Sequence, residues 1–118
     1  SNLILVGDMN VAPTDADIWD PEGWKGHILV SDAERDAFNS LIALGLTDAF
    51  RKAPVTEGDW SWWDYRNNAL LRDQGARIDH TLVSEALAGK IKSVKIRRFY
   101  RELPQPSDHA PVVLELSL

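Results

Sequence analysis

The sequence predicts a mixed α/β fold of the α+β kind, formed as one domain across residues 1–118 with no internal boundary. Three observations lead there. An apolar run over 3–6 breaks at Gly7 into Asp8, Met9 and Asn10, as a buried strand does when it delivers polar groups at its end. A capped amphipathic segment begins at Ser31. Two later stretches, 76–84 and 112–116, alternate with the period of two that a half-buried strand requires. Strands interleaved with helical segments and long loops belong to mixed architectures.

Each element has its own reason. Residues 3–7 form a short strand. Residues 8–31 are a long loop rich in Asp, Pro, Gly and Trp, and loops of that length tend to be functional. Ser31 is a helix cap, with Glu34 three residues on completing a capping box. Phe38, Leu41 and Ile42 then share one face, and Gly45 stops the helix. WSWWDY (60–65) is a candidate strand. Within ARIDHTLVS (76–84), Ile78, His80 and Leu82 face one way while Arg77, Asp79 and Thr81 face the other. A short helical stretch at 84–90 leads to a strand near 91–99. PVVLELSL closes with Val112, Leu114 and Leu116 on one face.

Composition excludes several classes of function. The absence of cysteine rules out disulfides and thiolate metal sites. No apolar run approaches a membrane span and the first residues lack a secretory pattern, so a cytosolic setting with no membrane partner is expected. A net charge of −5 argues against broad electrostatic attraction to nucleic acid. It leaves a phosphate substrate open, because a carboxylate cluster that binds a divalent cation reverses the local field.

Three short acidic stations carry the candidate chemistry: GDMN (7–10), RID (77–79) and SDH (107–109). Singly, each has an ordinary reading. Asp8 after a glycine is turn chemistry, Asp79 is served by a salt bridge to Arg77, and Asp108–His109 is a loop. Together they supply a different set. Asp79 can accept the ring N–H of His109 and fix its tautomer. Asp8 and Asp108 are hard oxygen ligands suited to Mg²⁺, and Asn10 can donate to a phosphate oxygen without repelling it. Cation, carboxylate, amide and imidazole are what in-line phosphodiester hydrolysis requires. In the long loop, Asp15, Asp17 and Asp20 are assigned to turns and caps. Trp60 and Trp63 are assigned to the core, and His27 and His80 receive no role.

Taken in order, GDMNVAPTDADIWDP, SDAERDAF, GLTDAFR, WSWWDYR, GARIDH and SDHAPV resemble the endonuclease/exonuclease/phosphatase superfamily, and within it the exonuclease III-type DNA-repair nucleases. The GDxN and SDHxP elements are shared across that superfamily; WSWWDYR and DIWDP favour the DNA-repair branch. The resemblance implies a catalytic set of Asp8, Asn10, Asp79 and His109. It implies a metal set of Asp8, Asn10, Asp108 and His109 holding Mg²⁺, with Mn²⁺ as the other candidate. Trp62 would form an aromatic wall against the deoxyribose of an abasic site, and Arg66 would contact DNA phosphate or a local acid. Trp60 departs from the phenylalanine more usual there and keeps an aromatic ring. The implied activity is that of a metal-dependent exodeoxyribonuclease III or abasic-site endonuclease of base excision repair, acting on DNA with abasic sites or 3′ ends. Two other readings remain: a phosphodiesterase or phosphatase acting on a small or lipid phosphate ester, and a non-catalytic DNA-binding or structural module.

The resemblance also implies a fold, half of a four-layer α/β sandwich with a mixed, mainly antiparallel sheet. The matching segments correspond to a C-terminal half. In the family the first half adds an Asn and a Glu for the metal and a Tyr near the phosphate, and Glu22, Glu34 and Glu57 sit in no matching motif. A lone half leaves a broad apolar sheet face open to water. The expected partner is therefore the N-terminal half, a second chain or another copy, and the fragment alone is expected to be weak or inactive.

Overall fold

The computed structural model describes residues 1–118. Strand β1 (Ile4–Asp8) follows the apolar run, with Gly7 at φ 148°, a conformation that side-chain-bearing residues rarely adopt. The long loop then folds locally into a 3₁₀ turn at Asp15–Asp17 and a one-turn helix α1 (Pro21–Trp24). Asp20 caps α1 by accepting the Gly23 N–H, and Pro21 occupies the first helical position, where a missing N–H costs nothing.

Helix α2 (Asp32–Ala43) forms where its cap places it. The Ser31 hydroxyl oxygen accepts the Glu34 N–H and donates to Glu34 Oε1, while Glu34 Oε2 reaches back to the Leu29 N–H at 2.9 Å. Gly45, at φ 102°, ends the helix. Then come β2 (Leu46–Asp48), α3 (Ala49–Lys52), β3 (Val55–Glu57), β4 (Trp62–Trp63), β5 (Gly75–Ala76), β6 (Asp79–Ser84), α4 (Glu85–Ala88), β7 (Ile91–Ile96) and β8 (Val112–Leu116).

The strands form three sheets. In β1-β6-β2 all pairs are antiparallel; in β3-β7-β8 the β3 pairing is parallel and the β8 pairing antiparallel; β4 and β5 make an antiparallel pair. Ala49 of α3 and Leu87 of α4 fill the space beside Val83, Ile91 and Val94, which binds the first two sheets together. The expected mixed, mainly antiparallel architecture is present. Val112, Leu114 and Leu116 share the inward face of β8 as the alternation predicts.

Three expected strands differ from the reading. The 76–84 strand breaks at Arg77–Ile78, because the Ile78 and Asp79 amides both turn to the Ser61 hydroxyl oxygen, each at 3.0 Å. The 60–65 strand shrinks to β4 because Ser61 spends its main-chain bonds on two neighbours, Ala76 and Ala110. The strand near 91–99 likewise stops at Ile96, and 98–102 forms a 3₁₀ turn. β1 lies at a sheet edge with Leu3, Ile4, Leu5 and Val6 all exposed, the last at 63%.

Candidate active site

Main-chain pairing brings the three acidic stations together. β1 runs antiparallel to β6 in a register that sets Asp8 directly opposite Asp79. Directly opposed residues share a sheet face, so two carboxylates are forced into proximity there. The third station is laid along β4: Trp63 N–H donates to the Asp108 carbonyl at 3.1 Å, and Ala110 N–H to the Ser61 carbonyl at 2.8 Å. Between them, Trp62 and His109 form a bridge. This places the imidazole between the two opposed acids. His109 Nδ1 lies 2.7 Å from Asp79 Oδ2 and Nε2 lies 3.5 Å from Asp8 Oδ2.

Each distance has a chemical consequence. The carboxylate at Nδ1 can only accept a hydrogen bond, so Asp79 places the ring proton on Nδ1, fixes the tautomer and leaves Nε2 facing Asp8. Asp8 Oδ1 accepts the Asn10 N–H at 3.0 Å, which anchors that oxygen and frees Oδ2. Asp108 is arranged alike: Oδ2 accepts the Trp62 indole N–H at 3.1 Å, while Oδ1 stands 3.9 Å from His109 Nε2. Two carboxylates thus have one oxygen held and one turned toward the same imidazole nitrogen. Ligand atoms of Asp8, Asp79 and His109 all lie within 4.8 Å of one another. Half-exposed hard oxygens beside an imidazole are a donor set that fits a divalent cation, whose charge would offset their mutual repulsion.

The remaining predicted residues fall around this centre. Asn10 follows β1 at φ 51°, exposed, beside a shallow hollow lined by Met9, Val11 and Phe38. Trp62 is partly buried against the cluster of Ala12, Ile18, Ala76 and Ile78 and lines a narrow cleft with Trp19, Trp24 and Arg66. Arg66 is exposed and grips Asp64 through both Nε and Nη2, at 3.0 and 2.7 Å. Trp63 is a core residue, its indole N–H bonded to Asp73. Asp15 pairs with Arg35 and Asp20 is a cap. Asp17 does more than cap, as described next.

Sequence reasoning missed the polar residues beneath the site. Arg77 is 2% exposed and donates to Asp17 Oδ1 at 2.8 Å and to Asp48 Oδ2 at 2.7 Å. Arg51 also bonds Asp17. Burial pushes the Asp17 carboxyl up, but the hydrogen bond and charge of Arg77, the Thr14 hydroxyl and the charge of Arg51 reverse this and hold it below the ordinary carboxylate range. His80, also 2% exposed, sits against Arg77, and burial followed by that guanidinium charge holds its imidazole below the usual histidine value. The alternation put Arg77 on the face of Asp79 and Thr81, opposite His80; the break at Arg77–Ile78 turns it instead toward His80, Asp17 and Asp48, so the pattern gave no sign of this network. Ser61, wholly buried, was visible only as one residue of an aromatic block.

Comparison with known proteins accords with this geometry. The description of the matching family is Endonuclease/Exonuclease/phosphatase family, and the match spans residues 1–109. An exodeoxyribonuclease of Bacillus subtilis is 38% identical over 117 residues, covering 98% of this chain and 45% of that protein. Among solved structures, a 3′ phosphatase from Neisseria bound to product DNA hairpin superposes with a TM-score of 0.94 at 44% identity, over 99% of this chain and 46% of that one. An AP endonuclease from Archaeoglobus fulgidus gives 0.91 at 30% identity, over 100% and 46%. The chain spans less than half the length of the relatives it matches, 45% of the bacterial exodeoxyribonucleases. With opposed carboxylates, a bridging imidazole and these likenesses in hand, the chain belongs to the endonuclease/exonuclease/phosphatase family.

Proposed function

We propose that this chain carries the carboxylate–histidine centre of a Mg²⁺-dependent nuclease, of the exodeoxyribonuclease III and abasic-site endonuclease type, that hydrolyses DNA phosphodiesters in base excision repair. The observation that supports it most is His109 held between Asp79 and Asp8, three residues drawn from distant parts of the chain. Asp8 Oδ2 is the free carboxylate oxygen that orients an attacking water and accepts its proton. Asn10 donates its side-chain amide to a non-bridging phosphate oxygen. Asp79 holds the His109 ring so that Nε2 faces the phosphate. Water oxygen bonds to phosphorus as the bond to the 3′ oxygen breaks; the 3′ oxygen takes a proton from solvent water to become a 3′-hydroxyl, and Asp8 returns the proton it accepted to solvent. Asp8, Asn10, Asp108 and His109 would hold Mg²⁺, or Mn²⁺ in its place, and the cation supplies charge neutralisation to the phosphate and carboxylates.

Trp62 offers a ring to a baseless sugar, and Arg66, already paired with Asp64, lies along the same cleft toward the DNA backbone. No helix is long and apolar enough to cross a membrane; a cytoplasmic setting goes with this reading. The uncovered edge at β1, where Leu3 and the strand residues Ile4, Leu5 and Val6 are open to water, is proposed to be covered by a further polypeptide segment corresponding to the other half of the family fold.

The test uses the intact protein. Cleavage of an abasic-site duplex and release of nucleotides from a 3′ end are measured with Mg²⁺, beside sphingomyelin and inositol phosphates. Asp8→Asn and His109→Ala are expected to lose about 10²–10⁴-fold in kcat on DNA, the range for removing an acid–base group. Undiminished rates in both variants, or turnover confined to the lipid and inositol esters, would end the assignment.

A further inference from the structure

We infer that His80 is a positioning residue that fixes the loop carrying Asn10 against the strand carrying Asp79. The inference rests on the phosphate-holding role proposed for Asn10. His80 is the second residue of β6, and its ring projects away from the site into the packed interior beside Phe38, ring centres 5.0 Å apart. Its two nitrogens have distinct partners. Nε2 lies 2.7 Å from the Val11 carbonyl oxygen, which can only accept, so the ring proton is on Nε2. Nδ1 lies 3.2 Å from Arg77 Nη1, which can only donate, so Nδ1 accepts. Both bonds are satisfied at once by the neutral ring in one tautomer.

The bond to Val11 matters because of what surrounds Asn10. On one side, Met9 N–H donates to the Ile78 carbonyl at 3.0 Å. On the other, the Val11 carbonyl is held by His80, and Ala12 N–H donates to the Leu29 carbonyl at 2.7 Å. Asn10 itself donates its N–H to Asp8 and takes a left-handed φ of 51°, a conformation that asparagine tolerates and that needs its neighbours to hold it. His80 is the only side chain that hydrogen-bonds the Met9–Val11 backbone from β6, one residue beyond Asp79. It ties the phosphate-facing amide to the strand that orients His109. A hydrophobic residue of similar size would fill the space, leave the buried Val11 carbonyl without a donor and release that tether.

A double-mutant cycle in the intact protein tests this, with His80→Leu, Asn10→Ala and the combination. His80→Leu is expected to lower kcat on abasic DNA about 10-fold or more with KM changed less than about 3-fold, and His80→Gln, which retains a donor and an acceptor, to restore most of it. In the Asn10→Ala background, His80→Leu is expected to lower kcat by no more than about 2-fold, since its partner is gone. A merely structural role gives the same fold-loss in both backgrounds, and that result overturns the inference. Amide hydrogen exchange supplies a readout independent of nuclease activity: the Met9 and Ala12 amides exchange at least about 10-fold faster in His80→Leu than in wild type, by more than the global change. Should His80→Leu fail to fold, His80→Met, which also lacks a donor, is read in the same two ways. Unchanged exchange at Met9 and Ala12 in a folded variant refutes the tether whether or not Asn10 proves to hold phosphate.

Discussion

Replacing Arg77 with leucine removes the cation that two buried carboxylates share. Asp17 is 1% exposed and the Asp48 side chain 13%; both take a guanidinium hydrogen bond from Arg77 at 2.8 Å or less. After substitution Asp17 keeps Arg51 and the Thr14 hydroxyl, and Asp48 keeps the Phe50 N–H, so neither is stripped bare. Breaking a buried ion pair from one side costs about 3–5 kcal/mol, because the remaining charge stays desolvated. With a urea m-value of about 2 kcal/mol per M, the unfolding midpoint falls by about 1.5–2.5 M. The sign of the pH dependence follows from Asp17. Its folded carboxyl is held below the ordinary range, so its contribution is fully present above about pH 4 and is lost as pH falls through the folded value. Arg77→Leu therefore also flattens the acid limb of the stability curve. Urea melts by circular dichroism between pH 7 and 3 measure both effects. A loss under about 1 kcal/mol with an unchanged acid limb would refute the claim that this network anchors the fold.

Other perturbations have equally definite outcomes. Because burial and Arg77 hold the His80 ring below its ordinary value, the unfolded chain binds a proton more readily than the folded one, and stability declines as pH drops below about 6.5; thermal melts of His80→Gln should lack that step. A Cβ at Gly75 would stand 2.6 Å from the Trp62 carbonyl oxygen and 2.8 Å from Trp60 Cβ, so Gly75→Ala should destabilise by about 1–3 kcal/mol in thermal melts, by forcing β4 off β5. Trp62→Phe keeps the ring and loses the indole N–H that anchors Asp108; the Mg²⁺ concentration for half-maximal cleavage should rise several-fold while the melting temperature moves little.

Local rules made α2 legible before any coordinate was known, because Ser31, Glu34, Phe38 and Gly45 act within a few positions of one another. The same holds for the alternation of β8. The three acidic stations were legible as chemistry, and their convergence was an inference from what phosphodiester hydrolysis requires. What stayed hidden depends on partners far along the chain. Ser61 lies 17 residues from Ile78, and nothing in its neighbours announces that its hydroxyl will end one strand and begin another. Arg77 and Asp17 are 60 residues apart, so the loop aspartate looked like a turn residue until the fold gave it a buried guanidinium. His80 was set aside because it matched no motif, yet its two bonds are specified as closely as those of His109.

The electrostatics of the centre explain why an acidic chain can be read as one that acts on a polyanion. With a formal charge of −5 and three carboxylates gathered round one imidazole, a phosphodiester approaching the bare site meets repulsion of about 4 kcal/mol per close charge pair at an effective dielectric near 20. The hydrogen bonds at Asp8 and Asp108 do not relieve that repulsion; they hold one oxygen of each group and leave the other aimed inward. Such an arrangement is costly as a phosphate receptor and sensible as a cation receptor. On the reading proposed above, a divalent cation seated there would offset most of the carboxylate charge and present a positive face to an incoming phosphate, so ion and DNA would bind with positive coupling. On that reading, the acidity that first argued against a nucleic-acid partner becomes, at this one place in the fold, the reason substrate binding would depend on metal.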